Sequence, residues 1–437
     1  EVSYWFQKRF PIVDFYKSTL CSERETCNFS SKFYPNCFYP QALERSKSAD
    51  LLIVNHALLL MRHWDEGEPS HVIIDEAHNL EDVATNVITE CASRTEIEHL
   101  LNRLFRLDNK RGTLILSRKY VDNPDLISQA LGNVRKLRPL VAEFGGYLKD
   151  YLEKIGGNFS KKYGLTYRLR ANPHKIHFFA WQYVEQILIE IIRELFELQK
   201  NIVKIIESLN NFAGKDKPLA ESLIKELNVI FEKFFYGPDG PGQMILLRDI
   251  PKVLFDPLVK VHWIDLSIRG NAESEDIKPE DINWSFNRAP VRVGDFLRSK
   301  IYNPAQFLVL TSATLTLAEG GFRYFMDRLG LLGSINPPNL VKLTSSFNYD
   351  ENVMLGLPAY LKSTARYDEI DAFQKEVAQE LSCFFSFTEG RGLVLFTART
   401  RMEFVAKSLE KSLSHLPVLW QRLGTSTRRL QEEFVNR

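Results

Sequence analysis

Asp75-Glu76-Ala77-His78 places two adjacent carboxylates and an imidazole directly after the apolar run His71-Val72-Ile73-Ile74. A short β-branched run of this kind is a buried-strand pattern. The carboxyl ends of parallel strands are where open α/β sheets bind ligands. One carboxylate there can hold Mg²⁺ through its water shell, while the other orients and deprotonates a water attacking a phosphoryl group. The same acidic pair also suits the first turn of a following helix, where the macrodipole favours negative charge, so the tetrapeptide alone leaves both readings open. Thr311-Ser312-Ala313-Thr314 follows a second apolar run, Phe307-Leu308-Val309-Leu310, and offers hydroxyls able to hydrogen-bond across a sheet to the acidic residues. Taken alone it is also an ordinary polar cap between strand and helix.

Cysteines form the other chemical cluster. Cys21, Cys27 and Cys37 fall within 17 residues in the spacing Cys-x5-Cys-x9-Cys, and Cys91 and Cys383 stand apart. Five cysteines without a secretory leader argue against a disulfide framework and for a reducing cytoplasm. The spacing lacks the two-residue separation of zinc knuckles and ribbons, which leaves an iron–sulfur cluster, zinc or free core thiols as readings. Cys91 and Cys383, in apolar helix-like surroundings, are expected to be buried small hydrophobes.

These residues need elements to carry them. Leu51–Val54 is a further continuous apolar run and predicts a buried strand turning into a helix, so the first 95 residues have α/β character. From about Arg94 to Lys260 the pattern becomes long and amphipathic. Val184, Ile187, Leu188, Ile191, Leu195, Leu198, Ile202, Ile205, Ile206 and Leu209 recur at three- and four-residue intervals, the spacing of one helix face. Gly237-Pro238-Asp239-Gly240-Pro241-Gly242 ends that helical run. Strand-like pieces follow at Val261–Ile264 and Trp284–Phe286, and Gly392–Phe396 predicts another buried strand before a helix at Arg401–Leu413. The order is α/β, helical insertion, α/β, which predicts discontinuous domains.

Length and composition bound the rest. The 437 residues suffice for two to four domains, and 44% hydrophobic with 25% charged residues exclude global disorder. Lys+Arg 56 against Asp+Glu 55 leaves a net charge of +1, so any nucleic-acid surface must be a local patch. The longest apolar candidate, Leu51–Met61, is interrupted by Asn55 and His56, too short for a membrane span. The chain starts at Glu1 without a methionine or a signal layout and stops at Arg437 within a helical pattern, so the sequence predicts an internal piece of a longer protein.

Three segments together resemble the DinG branch of the XPD/DinG-type superfamily 2 DNA helicases: Val54–Leu59 with Asn55-His56-Ala57, Val72–Asn79 with the Asp-Glu-Ala-His (DEAH) box, and Leu310–Thr316 with Thr311-Ser312-Ala313-Thr314. Gly392–Thr397 is similar to the strand that opens the second motor domain of that family. The resemblance covers most of the chain and is weakest in the helical middle. It implies an α/β fold of RecA-like P-loop motor domains, the first interrupted by an iron–sulfur domain and a helical Arch. The implied division is 1–48 for the partial cluster domain, 49–95 with 296–317 for the first motor domain, 96–295 for the Arch-like insertion and 318–437 for a truncated second motor domain.

The implied activity is ATP-dependent unwinding of DNA with 5′ to 3′ translocation on one strand, in repair or replication. An XPD-like repair helicase and a motorless nucleic-acid-binding remnant are the alternatives. By the resemblance Asp75 binds Mg²⁺ and Glu76 activates water, with His78, Thr311, Ser312 and Thr314 coupling hydrolysis to domain movement. Cys21, Cys27 and Cys37 would hold a 4Fe–4S cluster, with a fourth ligand before Glu1. Implied partners are single-stranded and forked DNA, with no membrane, and the protein is expected to be a cytoplasmic monomer.

No G-x-x-x-x-G-K-[ST] phosphate cradle occurs, and Gln421-x-x-Gly424-x-x-x-Arg428 mimics a later arginine motif only superficially. The piece by itself is therefore expected to hydrolyse no ATP. Arg24, Lys32, Arg45 and Lys47 interleave with Phe33, Tyr34, Phe38 and Tyr39, and Lys161, Lys162, Arg168 and Arg170 form a second basic stretch. The first fits phosphate tracking with base stacking as well as it fits the packing of a small domain, and the second fits a strand channel or the solvated surface of a helical domain.

Overall fold

Helix α1 (Phe38–Lys47) opens the described chain, and an extended stretch leads from it to α2 (His56–Met61). Asn55 starts α2: its side-chain oxygen accepts from the Leu58 N–H at 2.8 Å and its carbonyl from the Leu59 N–H at 3.1 Å, satisfying donors that a helix start leaves unpaired. Strand β1 (His71–Ile74) follows, then one tight turn, Ala77–Asn79, and α3 (Leu80–Ile88). In this computed structural model the described residues are 38–61, 69–159, 164–169, 173–237, 240–249, 259–268, 277–317, 319–332, 337–361, 370–422 and 427–435. The described residues divide into two units, 38–340 and 341–435.

A mixed helical and sheet body then separates β1 in sequence from the strand it pairs with. Its elements are β2 (Glu90–Ser93), α4 (Arg94–Leu104), α5 (Thr113–Ser117), α6 (Pro124–Lys154), β3 (Leu165–Leu169), α7 (Phe178–Asn211), α8 (Lys217–Phe234), α9 (Gln243–Asp249), β4 (Lys260–Ile268) and β5 (Ile282–Pro290). The strands form an antiparallel sheet in the order β2-β5-β4-β3. The expected face of α7 is the buried one, with Val184, Leu188, Ile191, Leu195, Leu198, Ile202, Ile205 and Leu209 inside and Ile187 and Ile206 at its margin.

The long helices pack on the sheet because α6 carries Gly145 and Gly146. A Cβ on Gly145 would lie 2.6 Å from the Ile282 carbonyl oxygen, and one on Gly146 would lie 2.7 Å from Pro279. At the same crossing the Trp284 indole N–H donates to the Val141 carbonyl at 3.0 Å. Between α6 and α7, Asn133 donates to Glu194 at 2.9 Å and accepts from Asn201 at 3.0 Å. These buried polar groups are paired, so a slip of one helix along the other would leave each of them unsatisfied.

After that body the chain returns through α10 (Gly294–Leu297) and a π-turn at Arg298–Tyr302 to β6 (Phe307–Leu310), which pairs in parallel with β1. The register sets His71, Val72, Ile73 and Ile74 opposite Phe307, Leu308, Val309 and Leu310. One core binds these pieces: Leu60, Val72, Ile74, Ala77, Leu80, Ala84, Val293, Leu297, Ile301 and Leu329. Helix α11 (Arg323–Arg328) is fastened to α3 by an ion pair, Arg328 Nε donating to Glu81 Oε1 at 2.7 Å. Burial pushes the Tyr302 phenol well above its ordinary value, and its hydroxyl donates to the Leu329 carbonyl at 3.1 Å.

In the other unit, α12 (Ile370–Phe387) packs on α13 (Arg399–Ser412), with Phe385, Val405, Leu409 and Leu413 buried between them, and α14 (Thr427–Val435) follows.

Three sequence expectations need correction. Leu51–Val54 forms no strand and has no ladder partner among the described residues, and Leu51 and Ile53 are 79% and 88% exposed. Gly392–Phe396 likewise forms no strand; Val394 and Phe396 pack against the α12–α13 core, while Leu393 and Leu395 are 79% and 85% exposed. An apolar run predicts what a strand would bury, but a ladder also needs a neighbouring backbone to pair with. Cys91 and Cys383 are exposed, on β2 and α12, rather than buried. Cys91 alternates outward from Ala92, which takes the core position.

Among the described residues no helix is long and apolar enough to cross a membrane.

Candidate functional site

The parallel pair β1–β6 brings two tetrapeptides far apart in sequence to one sheet end. Its ladder continues one step past the strands: the Thr311 N–H donates to the Ile74 carbonyl at 2.9 Å, and the Ala77 N–H donates to the Thr311 carbonyl at 3.0 Å. Between these two bonds the chain turns sharply. Glu76 takes φ 50° and ψ 41°, the left-handed region, which costs a residue with a Cβ about 1–2 kcal/mol. Ala77 is fully buried beneath the turn, and its small side chain lets α3 start directly behind the carboxylates.

The side chains then meet. Ser312 Oγ lies 2.7 Å from His78 Nδ1 and donates to Glu76 Oε2 at 3.3 Å, although Ser312 and Glu76 are 236 residues apart. His78 Nδ1 is 3.1 Å from the same carboxylate oxygen. Ser312 Oγ also accepts from the Thr314 N–H at 3.3 Å. With a proton on His78 Nδ1 these contacts are satisfied together: the serine hydroxyl donates to Glu76 while accepting from the imidazole and from Thr314. Because carboxylate and hydroxyl share one ring nitrogen, the imidazole does not bridge them through both nitrogens. That is not the geometry of a serine nucleophile with its base and orienting acid.

Asp75 sits beside this cluster. Its Oδ1 accepts from the Glu76 N–H at 2.9 Å, and its backbone carbonyl lies 2.8 Å from His56 Nε2. Asp75, Glu76 and His78 are exposed, as are Thr311 and Thr314, and Ser312 is half-buried. A carboxylate open to water with one oxygen anchored suits a hard cation that keeps part of its hydration shell, so the donor set fits Mg²⁺ held by Asp75. Of the hydroxyl residues singled out in the sequence, only Ser312 brings its side chain to the carboxylates; Thr311 and Thr314 contribute backbone groups. The contact made by His56 carries no periodicity or spacing signal that would have given it a role in advance.

The cysteine cluster falls elsewhere. Cys21, Cys27 and Cys37 lie outside the described residues, as do Arg24, Lys32, Phe33, Tyr34, Lys161, Lys162 and Arg170. Phe38, Arg45 and Lys47 are exposed on α1, and Arg168 is exposed on β3. Among the described residues no group of three or more His, Cys, Asp and Glu side chains could hold a metal ion; Asp75 and Glu76 are a pair.

No protein-family model matches the chain. Curated relatives do. The chain is 24% identical over 396 residues to the 3′-5′ exonuclease DinG of Bacillus subtilis, covering 86% of this chain and 39% of that protein. It is 21% identical over 434 residues to the ATP-dependent DNA helicase YoaA of Haemophilus influenzae, covering 95% and 54%. It is 24% identical over 399 residues to the ATP-dependent DNA helicase DinG of Photobacterium profundum, covering 89% and 52%. The chain thus spans about half the length of the curated relatives it matches or less. With the order of its motifs and the site they build, these relatives make the chain a DinG-like sequence, similar to part of the DinG and YoaA proteins.

Proposed function

We propose that the chain is part of an ATP-dependent DNA helicase of the DinG type, and that the β1–β6 sheet end is where ATP hydrolysis is driven. The observation that carries this reading is the contact of Ser312 with both Glu76 and His78 across the parallel strands. Glu76 accepts the proton of a water attacking the terminal phosphoryl group, and Asp75 is the residue that would hold Mg²⁺. The metal, when bound, neutralises charge developing on the phosphates. Ser312 and His78 hold the Glu76 carboxylate in place. The strength of the Ser312 bond changes as Glu76 takes up the proton, and through β6 that change couples hydrolysis to domain movement and to 5′ to 3′ travel along single-stranded DNA.

Replacement of Ser312 tests the coupling. Ser312→Ala in the full gene product is expected to keep DNA-stimulated ATP turnover within about tenfold of wild type, since the general base itself remains. Strand separation per ATP hydrolysed should fall much further. Equal loss of both activities would sink the coupling role.

The division proposed for the whole protein follows the same reading. Residues 49–95 and 296–317 form parts of one RecA-like motor domain, 96–295 an Arch-like insertion and 1–48 part of an iron–sulfur domain, and a second motor domain starts within 318–437, after α11, which packs in the core of the first. Support for the split motor comes from the pairing of 71–74 with 307–310 across the whole intervening body. Cys21, Cys27 and Cys37 are proposed as cluster ligands that stabilise the strand-separating domain, in a cytoplasmic, monomeric repair enzyme acting on forked DNA. Protein purified without oxygen should carry about four irons per chain, and Cys27→Ser should lose most of them. Zinc at one per chain, or full iron retention in the variant, would contradict the assignment.

A second reading takes its support from the name of the Bacillus subtilis relative, an exonuclease. In it the chain binds nucleic acid beside a nuclease and its motor is silent. Tight DNA binding with no ATP turnover in the full gene product would favour that reading.

A further inference from the structure

We infer that His56 is a positioning residue, a clamp on the peptide between Asp75 and Glu76; the inference rests on the role proposed above for those two carboxylates. A carbonyl oxygen only accepts, so the 2.8 Å contact between His56 Nε2 and the Asp75 carbonyl requires the proton on Nε2. The other end of the same peptide, the Glu76 N–H, donates to Asp75 Oδ1 at 2.9 Å. Both polar ends of peptide 75–76 are thereby tied, one to an imidazole and one to the proposed magnesium ligand.

This peptide is the one that needs tying. The ladder bonds to Thr311 hold the Ile74 carbonyl and the Ala77 N–H, on either side of it. Glu76 is left-handed at φ 50°. Rotating peptide 75–76 as a plate changes ψ of Asp75 and φ of Glu76 in opposite senses and carries Glu76 to negative φ, where a side chain is unstrained. The strain therefore favours the flip, and the His56 bond opposes it. A flip would also withdraw the Glu76 N–H from Asp75 Oδ1 and leave that carboxylate free to rotate. The clamp has a firm base, since Asn55 caps α2 and Leu60 of the same helix is buried in the core beneath β1.

A merely structural histidine and a clamp differ in what they alter. His56 is only half-buried, so His56→Ala should leave the melting temperature of the full gene product nearly unchanged. It should lower kcat for DNA-stimulated ATP hydrolysis by about 10- to 100-fold, the usual cost of losing an outer support of a ligating carboxylate. KM for ATP should stay within about threefold, because the phosphate-binding contacts are not touched. His56→Gln, which keeps an N–H donor, should recover most of kcat, and His56→Phe should not. Crystal structures of the wild type and of His56→Ala read the clamp directly: Glu76 should move from positive to negative φ in the variant, with Asp75 Oδ1 released.

Retention of positive φ and of wild-type kcat in His56→Ala would overturn the inference, and so would equal recovery by Gln and Phe. If the wild-type protein hydrolyses no ATP, the proposed function fails. The conformation of Glu76 in the two crystal structures still decides whether His56 holds the peptide.

Discussion

Glu76→Gln in the full gene product is expected to lower ATP turnover by about 10²–10⁴-fold, the contribution of a positioned general base, while ATP and single-stranded DNA still bind. The reason is geometric. Glutamine preserves size and can still accept from Ser312 through its carbonyl oxygen, so the cluster with His78 has no steric cause to rearrange. What it loses is the ability to take a proton from water. Single-turnover hydrolysis together with equilibrium binding of a nucleotide checks this, and wild-type turnover in the variant would remove Glu76 from the role of base.

The second large effect concerns folding. Gly330 follows α11 at φ +71°, and a Cβ there would stand 2.6 Å from Gly294 Cα. The obstacle is backbone at the start of α10, which cannot swing aside as a side chain can. Gly330→Ala should therefore destabilise the unit by about 2–5 kcal/mol, combining the left-handed penalty with overpacking. The denaturant midpoint should fall without a change of slope. Gly132→Ala is the matched control: it lies in α6 with nothing within 4 Å of the added Cβ, so a gain of about 0.5–1 kcal/mol is expected from helix propensity alone. Equal effects at the two sites would mean that the Gly294–Gly330 contact does not support the unit. Disturbance there should reach the site, because Leu297, Ile301 and Leu329 pack in the same core as Ile74 and Ala77.

The elements legible in the sequence were those whose pattern states both what they bury and what they pair with. Helix α7 announced its buried face through regular spacing from Val184 to Leu209, and β1 and β6 were bounded by polar residues with evident chemistry. Leu51–Val54 and Gly392–Phe396 carried the same apolar signal, but a run of side chains does not say whether a neighbouring strand is present. Gln243 could not have been foreseen. Its side-chain amide donates to the Cys91 carbonyl and accepts from the Ser93 N–H, both at 2.8 Å, closing the edge of β2 as a strand would. The left-handed turn at Glu76 was equally hidden, since nothing about a glutamate suggests positive φ. It is held by hydrogen bonds to both ends of peptide 75–76, which no side-chain pattern announces. His56 stands in the Asn55-His56-Ala57 segment, yet its contact was hidden too, because its partner is a backbone carbonyl 19 residues away.

On the proposed reading, the sheet end formed by 75–78 and 311–314 drives nucleotide hydrolysis coupled to DNA. The most direct measurement is ATP turnover by the full gene product with and without single-stranded DNA, beside Glu76→Gln in the same assay. Turnover should rise with DNA and be abolished by the substitution. DNA binding with no turnover under any condition, or turnover indifferent to Glu76, would contradict it.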